Sequence, residues 1–218
     1  MTATSLRSLQ EIVVDTAAFK PPTYIPVYER LLEPRRREPL ALLELGVKDG
    51  GSIKAWEAYF PLARIAGIDL SIPALSVCDR VRLFAGDQAD PKVLDRAAAE
   101  VAPNGFDIVI DDCAHVGRLA KASFWHLFEH HLKPGGLYCI EDWGTGYWPD
   151  WPDGRSPVVG PDSERRLPSH DAGMVGFIKQ LVDEISAADI EPRRLSKFSE
   201  MQLFPGMCVV WKAKGHKA

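Results

Sequence analysis

Long apolar runs are missing from this 218-residue sequence. None approaches the roughly 18–20 residues that a membrane-crossing helix needs, so no membrane partner is expected. Cysteine is scarce: Cys78, Cys113, Cys139 and Cys208 are scattered and form no C-x-x-C pair, which argues against a zinc ribbon or a redox dithiol. Cys139 and Cys208 lie inside apolar runs and read as small buried hydrophobes, and the pattern suits a reduced, cytoplasmic protein. The start, MTATSLRSLQEIVV, lacks the basic-then-apolar order of a signal peptide, and none is expected. A basic surplus is lacking too. Against 30 acidic residues stand 26 Lys and Arg, giving a net charge of −4, and the short Arg35-Arg36-Arg37 cluster reads as a solvated turn. Nucleic acid is therefore not an expected partner. There is no internal repeat and no low-complexity segment.

What is present is a regular alternation. After two short amphipathic helices (5–19 and 24–33), apolar strands are expected at 40–47, 64–70, 80–87, 106–112 and 137–143. Helices are expected at 51–60, 91–102, 119–132 and 172–185, with a closing pair of strands in RRLSKFSEM and MCVVWKAK. Nearly continuous apolar strands separated by helices point to an α/β fold with a parallel sheet covered on both faces. Ligands of such sheets bind beyond the carboxyl ends of the strands. Those ends carry acid every time: Glu44, then Asp69, Asp87, Asp111 with Asp112, and Glu141 with Asp142.

The first turn, LLELGVKDGGS, sets an acid and glycines between strand and helix. Lys48 stands where a dinucleotide fingerprint needs its second glycine, and no G-K-[ST] follows, so neither a nicotinamide site nor a Walker loop fits. Asp69 lies about 20 residues past Gly46, a spacing suited to ribose hydroxyls. Asp87 and Gln88, after the third strand, are expected to reach an adenine edge. An acidic rim without a phosphate cradle favours S-adenosylmethionine, whose sulfonium and amino groups are cationic. The cofactor-binding candidates are Glu44, Gly46, Lys48, Asp49, Gly50, Ser52, Asp69, Leu70, Asp87, Gln88 and Asp111. The plain alternative is a tight strand–helix turn and nothing more.

LLELGVKDGGSIKAW…RIAGIDL, together with FDIVIDDCAHV…LFEHHLKPGGLYCIEDWGTGYW, resembles the class I S-adenosylmethionine-dependent methyltransferases. Within them it is similar to the macrocin and mycinamicin type of sugar O-methyltransferase, from about residue 24 to 212. Cys113-Ala114 departs from a Gly-Ser pair common in that family. The resemblance implies a doubly wound, mostly parallel, seven-stranded Rossmann-like sheet with an antiparallel C-terminal strand. It also implies magnesium and a sugar hydroxyl as acceptor. Residues 1–218 are read as one methyltransferase domain, with an N-terminal helical segment (1–38) and a substrate lid (143–170).

In the sheet that the resemblance implies, the fourth and fifth strands are neighbours, which sets Asp112 beside Glu141 and Asp142. Three such carboxylates repel one another, and a divalent cation relieves the repulsion. Oxygen ligands favour Mg²⁺ or Ca²⁺ over zinc. Asp112, Glu141 and Asp142 are thus the metal candidates. His115, three residues past Asp112, is the candidate general base. The alternatives are a helix cap for Asp111, a structural histidine and a solvated Glu141-Asp142 turn. Trp143, Tyr147, Trp148 and Trp151 are the lid's candidate acceptor-stacking residues; against this, the loop packs back on the body or on a partner subunit. HLFEHH (126–131) formally matches H-x-x-E-H, but nothing else resembles a zinc peptidase, and a packed or solvated helix face is expected there. The expected function is S-adenosylmethionine- and Mg²⁺-dependent O-methylation of a small natural product, with self-association left open. The rivals are a metal-independent phenol methyltransferase, a non-catalytic cofactor binder and a nicotinamide-dependent reductase.

Overall fold

A computed structural model describes residues 7–155, 171–186 and 196–215. The expected lid beyond Arg155 (156–170) and the start of the first closing strand (193–195) lie outside the described residues. In chain order the elements are α1 (Leu9–Asp15), α2 (Ile25–Leu32), β1 (Ala41–Leu45), α3 (Gly51–Tyr59), β2 (Arg64–Asp69), β3 (Val81–Ala85), α4 (Pro91–Val101), β4 (Phe106–Asp111), α5 (Gly117–His130), β5 (Leu132–Ile140), α6 (Pro152–Arg155), α7 (Gly173–Ile185), β6 (Phe198–Phe204) and β7 (Met207–Lys212). No helix among the described residues is long and apolar enough to cross a membrane.

The strands form one sheet in the order β3-β2-β1-β4-β5-β7-β6. The pairs from β3 to β5 are parallel, while β7 runs antiparallel to both β5 and β6. This is the Rossmann-like methyltransferase fold that the sequence led us to expect. Side chains alternate across the sheet with period two, so β4 sends Ile108 and Ile110 to one face and Val109 to the other. One core joins the sheet to α4, α5 and α7; the other joins it to α1, α2 and α3. Leu42 and Leu43, fully buried on opposite faces of β1, anchor both; truncating either to Ala costs about 2–5 kcal/mol.

Local chemistry sets the boundaries. Ser8 and Glu11 form a reciprocal capping box that starts α1. The helix expected over 5–19 stops at Asp15, because Ala17 is left-handed (φ 54°). The expected 119–132 helix begins two residues earlier and ends at His130. Leu132 already pairs with Phe106, and an irregularity between Phe106 and Ile108 absorbs the KPGG stretch into β5.

Candidate active site

The parallel strands end at one rim, and β1 and β4 meet there closely. Gly46 (φ 93°) donates its N–H to the Ile68 carbonyl, and a Cβ at this position would lie 2.1 Å from the Asp112 carbonyl oxygen. A cavity of ≈ 530 Å³ opens over this contact. Gly46, Val47, Lys48, Asp49, Ser52, Asp69 and Leu70 line one side; Asp112, Cys113, Ala114, His115, Glu141, Asp142 and Trp151 line the other, with Phe19 and Pro21 at the margin. Of the four non-glycine residues with positive φ among those described, three line this cavity: Lys48, His115 and Asp142. Such backbone is costly and concentrates where function holds it in place.

Most of the candidate residues gather here, but their duties differ. Asp69 Oδ2 accepts the N–H groups of Val47 and Lys48, each at 2.8 Å, and so shapes the glycine-rich turn. Glu44 lies fully buried beneath the cavity. It accepts from Ser52 Oγ (2.8 Å) and Trp56 Nε1 (3.1 Å), and burial raises its carboxyl above the usual range. Gly50 caps α3 with φ 84°. Asp87 accepts from the Ala89 N–H. Gln88 and Asp111 stand behind the wall rather than on it. Gln88 Nε2 reaches Asp111 Oδ1 at 3.3 Å, and Ser123 and Tyr138 donate to the other Asp111 oxygen. Burial pushes Asp111 up to about 6. Gln88 also accepts from the Ala114 N–H, bracing the bend that carries His115.

Asp112, His115 and Asp142 offer ligand atoms that all lie within 4.8 Å of one another. His115 Nε2 stands 3.7 Å from Asp112 Oδ1 and 3.7 Å from Asp142 Oδ2. The other oxygen of each aspartate is taken: Asp112 Oδ2 by Lys20 (2.6 Å) and Asp142 Oδ1 by the Tyr24 hydroxyl (2.6 Å). Two carboxylate oxygens thus face a common point beside the imidazole nitrogen, and such oxygens are the donors a hard divalent cation takes. The glycine-backed cavity beside it fits a compact cofactor without phosphates. Glu141 lines the same cavity, yet its Oε1 is held by Lys20 (2.7 Å) and Tyr28 (2.6 Å).

Lys20 is the residue that the sequence reading missed. Its ammonium is buried among Asp112, Glu141 and Glu44, the last at 3.5 Å. Burial pushes this ammonium down, but the three carboxylates outweigh it and hold Lys20 well above its usual value. Burial pushes Glu141 up to about 8 even so. Lys20 thus answers three carboxyl groups, Glu44 and Glu141 buried and Asp112 partly exposed. Tyr24, Tyr28 and Lys20 all come from the N-terminal segment, which is therefore part of the site. Nothing local marks them: apart from Glu44, 24 positions from Lys20, their partners lie 92 to 121 positions away.

The lid aromatics divide. Trp151 lines the cavity and sets its ring edge-on to His115, 5.2 Å between centroids. Trp143 donates to the Phe204 carbonyl and packs on the core, with Tyr147 against it; Trp148 is half exposed. Asp153, also unforeseen, fixes this segment: its Oδ2 accepts N–H groups from Gly117 (2.7 Å) and Met174 (2.8 Å), at the starts of α5 and α7.

No known family model matches the chain. It is 34% identical over 180 residues to the mycinamicin VI 2''-O-methyltransferase of Micromonospora griseorubida, a match covering 78% of this chain and 42% of that protein. To the demethylmacrocin O-methyltransferase of Streptomyces fradiae it is 34% identical over 174 residues, 77% of this chain and 41% of that one. The crystal structure of MycE methyltransferase from the mycinamycin biosynthetic pathway, in complex with Mg and SAH, superposes with a TM-score of 0.75. The identity is 30%, over 96% of this chain and 55% of that one. The chain spans about two fifths of the length of the curated relatives it matches.

Proposed function

We propose that this chain, a homologue of the macrocin- and mycinamicin-type sugar O-methyltransferases, transfers a methyl group from S-adenosylmethionine to a hydroxyl of a small natural product. The first acceptor class to test is the sugar of a glycosylated polyketide. The observation that carries the reading is the convergence of Asp112, Asp142 and His115 beside the cavity backed by Gly46. We place the reaction in the cytoplasm, with no nucleic-acid partner.

When bound, S-adenosylmethionine supplies an electrophilic methyl group, and magnesium supplies a Lewis acid for the acceptor hydroxyl. Asp112 and Asp142 would hold the metal, with Glu141 the third candidate ligand. Glu44, Asp69 and the Gly46–Ser52 turn would hold the cofactor. His115 takes the hydroxyl proton at Nε2 as the methyl group leaves sulfur for the acceptor oxygen, with S-adenosylhomocysteine as the leaving group. Trp151 packs edge-on against the His115 ring, and Asp153 ties the segment that follows it to the starts of α5 and α7. Of the expected lid, the described residue Trp151 lines the cavity on the acceptor side, and 156–170 lie outside the described residues.

The test is methyl transfer from labelled S-adenosylmethionine to a set of O-demethylated glycosylated polyketides, with Mg²⁺ and with EDTA. Transfer with magnesium and its loss in EDTA are expected. Undiminished transfer in EDTA overturns the metal's role. Cofactor binding without transfer to any acceptor points to a non-catalytic binder.

A further inference from the structure

A second group of metal-ligating side chains lies away from the acid rim. Asp95 on α4, His126 on α5 and His131 just after α5 bring one ligand atom each within 4.8 Å of one another. The Nε2 atoms of both histidines stand 2.7 Å from the same oxygen, Asp95 Oδ1. The two imidazoles hold the Asp95 carboxyl below its ordinary range. His131 directly precedes the first residue of β5, so the group sits toward the opposite end of the sheet from the cofactor cavity. Asp95, His130 and His131 also line a groove of ≈ 720 Å³ that lets a hydrated ion approach.

We propose that Asp95, His126 and His131 form a surface site for a borderline-soft divalent cation, zinc first. Two imidazole nitrogens and one carboxylate oxygen match the zinc preference, whereas the carboxylate oxygens of the rim suit magnesium. Half-exposed Asp95 can swing outward to open the 2.7 Å contacts to the wider spacing around a tetrahedral ion. Water fills the fourth position, or His130, whose ring lies 5.2 Å from that of His126. The ligand set differs from the H-x-x-E-H string in the sequence. Glu129 turns away to Lys197, and Asp95, from another helix, supplies the acid. Bound zinc staples α4 to the end of α5 and leaves the rim untouched.

The test is calorimetric titration of untagged protein with Zn²⁺ alone, in saturating Mg²⁺ to occupy the rim, alongside the visible spectrum with Co²⁺. One Zn²⁺ per chain is expected. Affinity should fall about tenfold or more in His126→Ala and in His131→Ala, and persist in Asp142→Asn. Zinc should also raise the unfolding temperature of the parent and of neither histidine variant. Three results overturn the site: no zinc uptake, uptake unaffected by both histidine variants, or uptake lost in Asp142→Asn. The three side chains then form a hydrogen-bonded clasp alone.

Discussion

At the scale of single residues, the rim separates metal duties from cofactor duties. Asp142→Asn removes a charged oxygen facing His115 while Glu44 and the Gly46 turn stay in place. The variant should bind Mg²⁺ at least about tenfold more weakly by calorimetry and keep its affinity for S-adenosylhomocysteine. His115→Ala should slow transfer by about 10²–10⁴-fold with cofactor affinity preserved. Lys20 gives a sharper prediction, of sign. Its ammonium sits 2.6 Å from Asp112, where it repels an incoming dication; like unit charges about 4 Å apart cost about 4 kcal/mol at an effective dielectric of about 20. Lys20→Met should therefore bind Mg²⁺ more tightly, about tenfold or more, while melting earlier without metal. Weaker Mg²⁺ binding would show that Lys20 arranges ligands rather than competing with the metal. Asp112 and His115 were legible in the sequence because they follow an apolar strand that has no use for them. Lys20, Tyr24 and Tyr28 were not, because their meaning comes from acids about a hundred positions away.

At the scale of elements, the strand tips are locked by contacts too close for side chains. Gly46→Ala would drive a Cβ into the Asp112 carbonyl and hold a left-handed backbone at once. Loss of S-adenosylhomocysteine binding and a lower melting temperature are expected, read by calorimetry and thermal unfolding. At the other end of β4, Asp107 accepts from the Ala41 N–H (2.8 Å), Lys133 (2.7 Å) and Arg35 (3.1 Å), joining β1, β5 and the N-terminal segment. Burial pushes its carboxyl up, but these donors overcome it and hold Asp107 below its ordinary 3.8. A depressed carboxyl contributes stability above its unfolded value and loses it as pH falls through the folded one. Asp107→Asn should cost about 2 kcal/mol at pH 7, and urea titrations should show the gap closing below pH 4. The strands were readable because both faces are buried and the apolar runs are continuous. Helix ends were less so: Ala17 turns left-handed with no glycine to announce it, and β5 takes in a Pro-Gly-Gly stretch through a pairing with Phe106.

At the scale of the whole molecule, the doubly wound sheet supplies two cores and one rim, and the chemistry collects where β1, β4 and β5 end together. The alternation of strands and helices told the fold, and the acids at five strand ends told which edge matters. What the pattern did not tell is how the acids divide. Asp111 and Gln88 brace the wall from behind, Glu141 leans on Lys20 and Tyr28, and Asp112 and Asp142 keep one oxygen each facing His115. The central claim is that this rim holds a dication and a methyl donor side by side. A crystal structure with S-adenosylhomocysteine and Mg²⁺ tests it most directly. The ion should lie on Asp112 and Asp142 next to His115, with the nucleoside along Gly46–Ser52 and Asp69. Well-ordered S-adenosylhomocysteine lodged elsewhere, or a rim still closed by Lys20 with no ion between the aspartates at saturating magnesium, would contradict it.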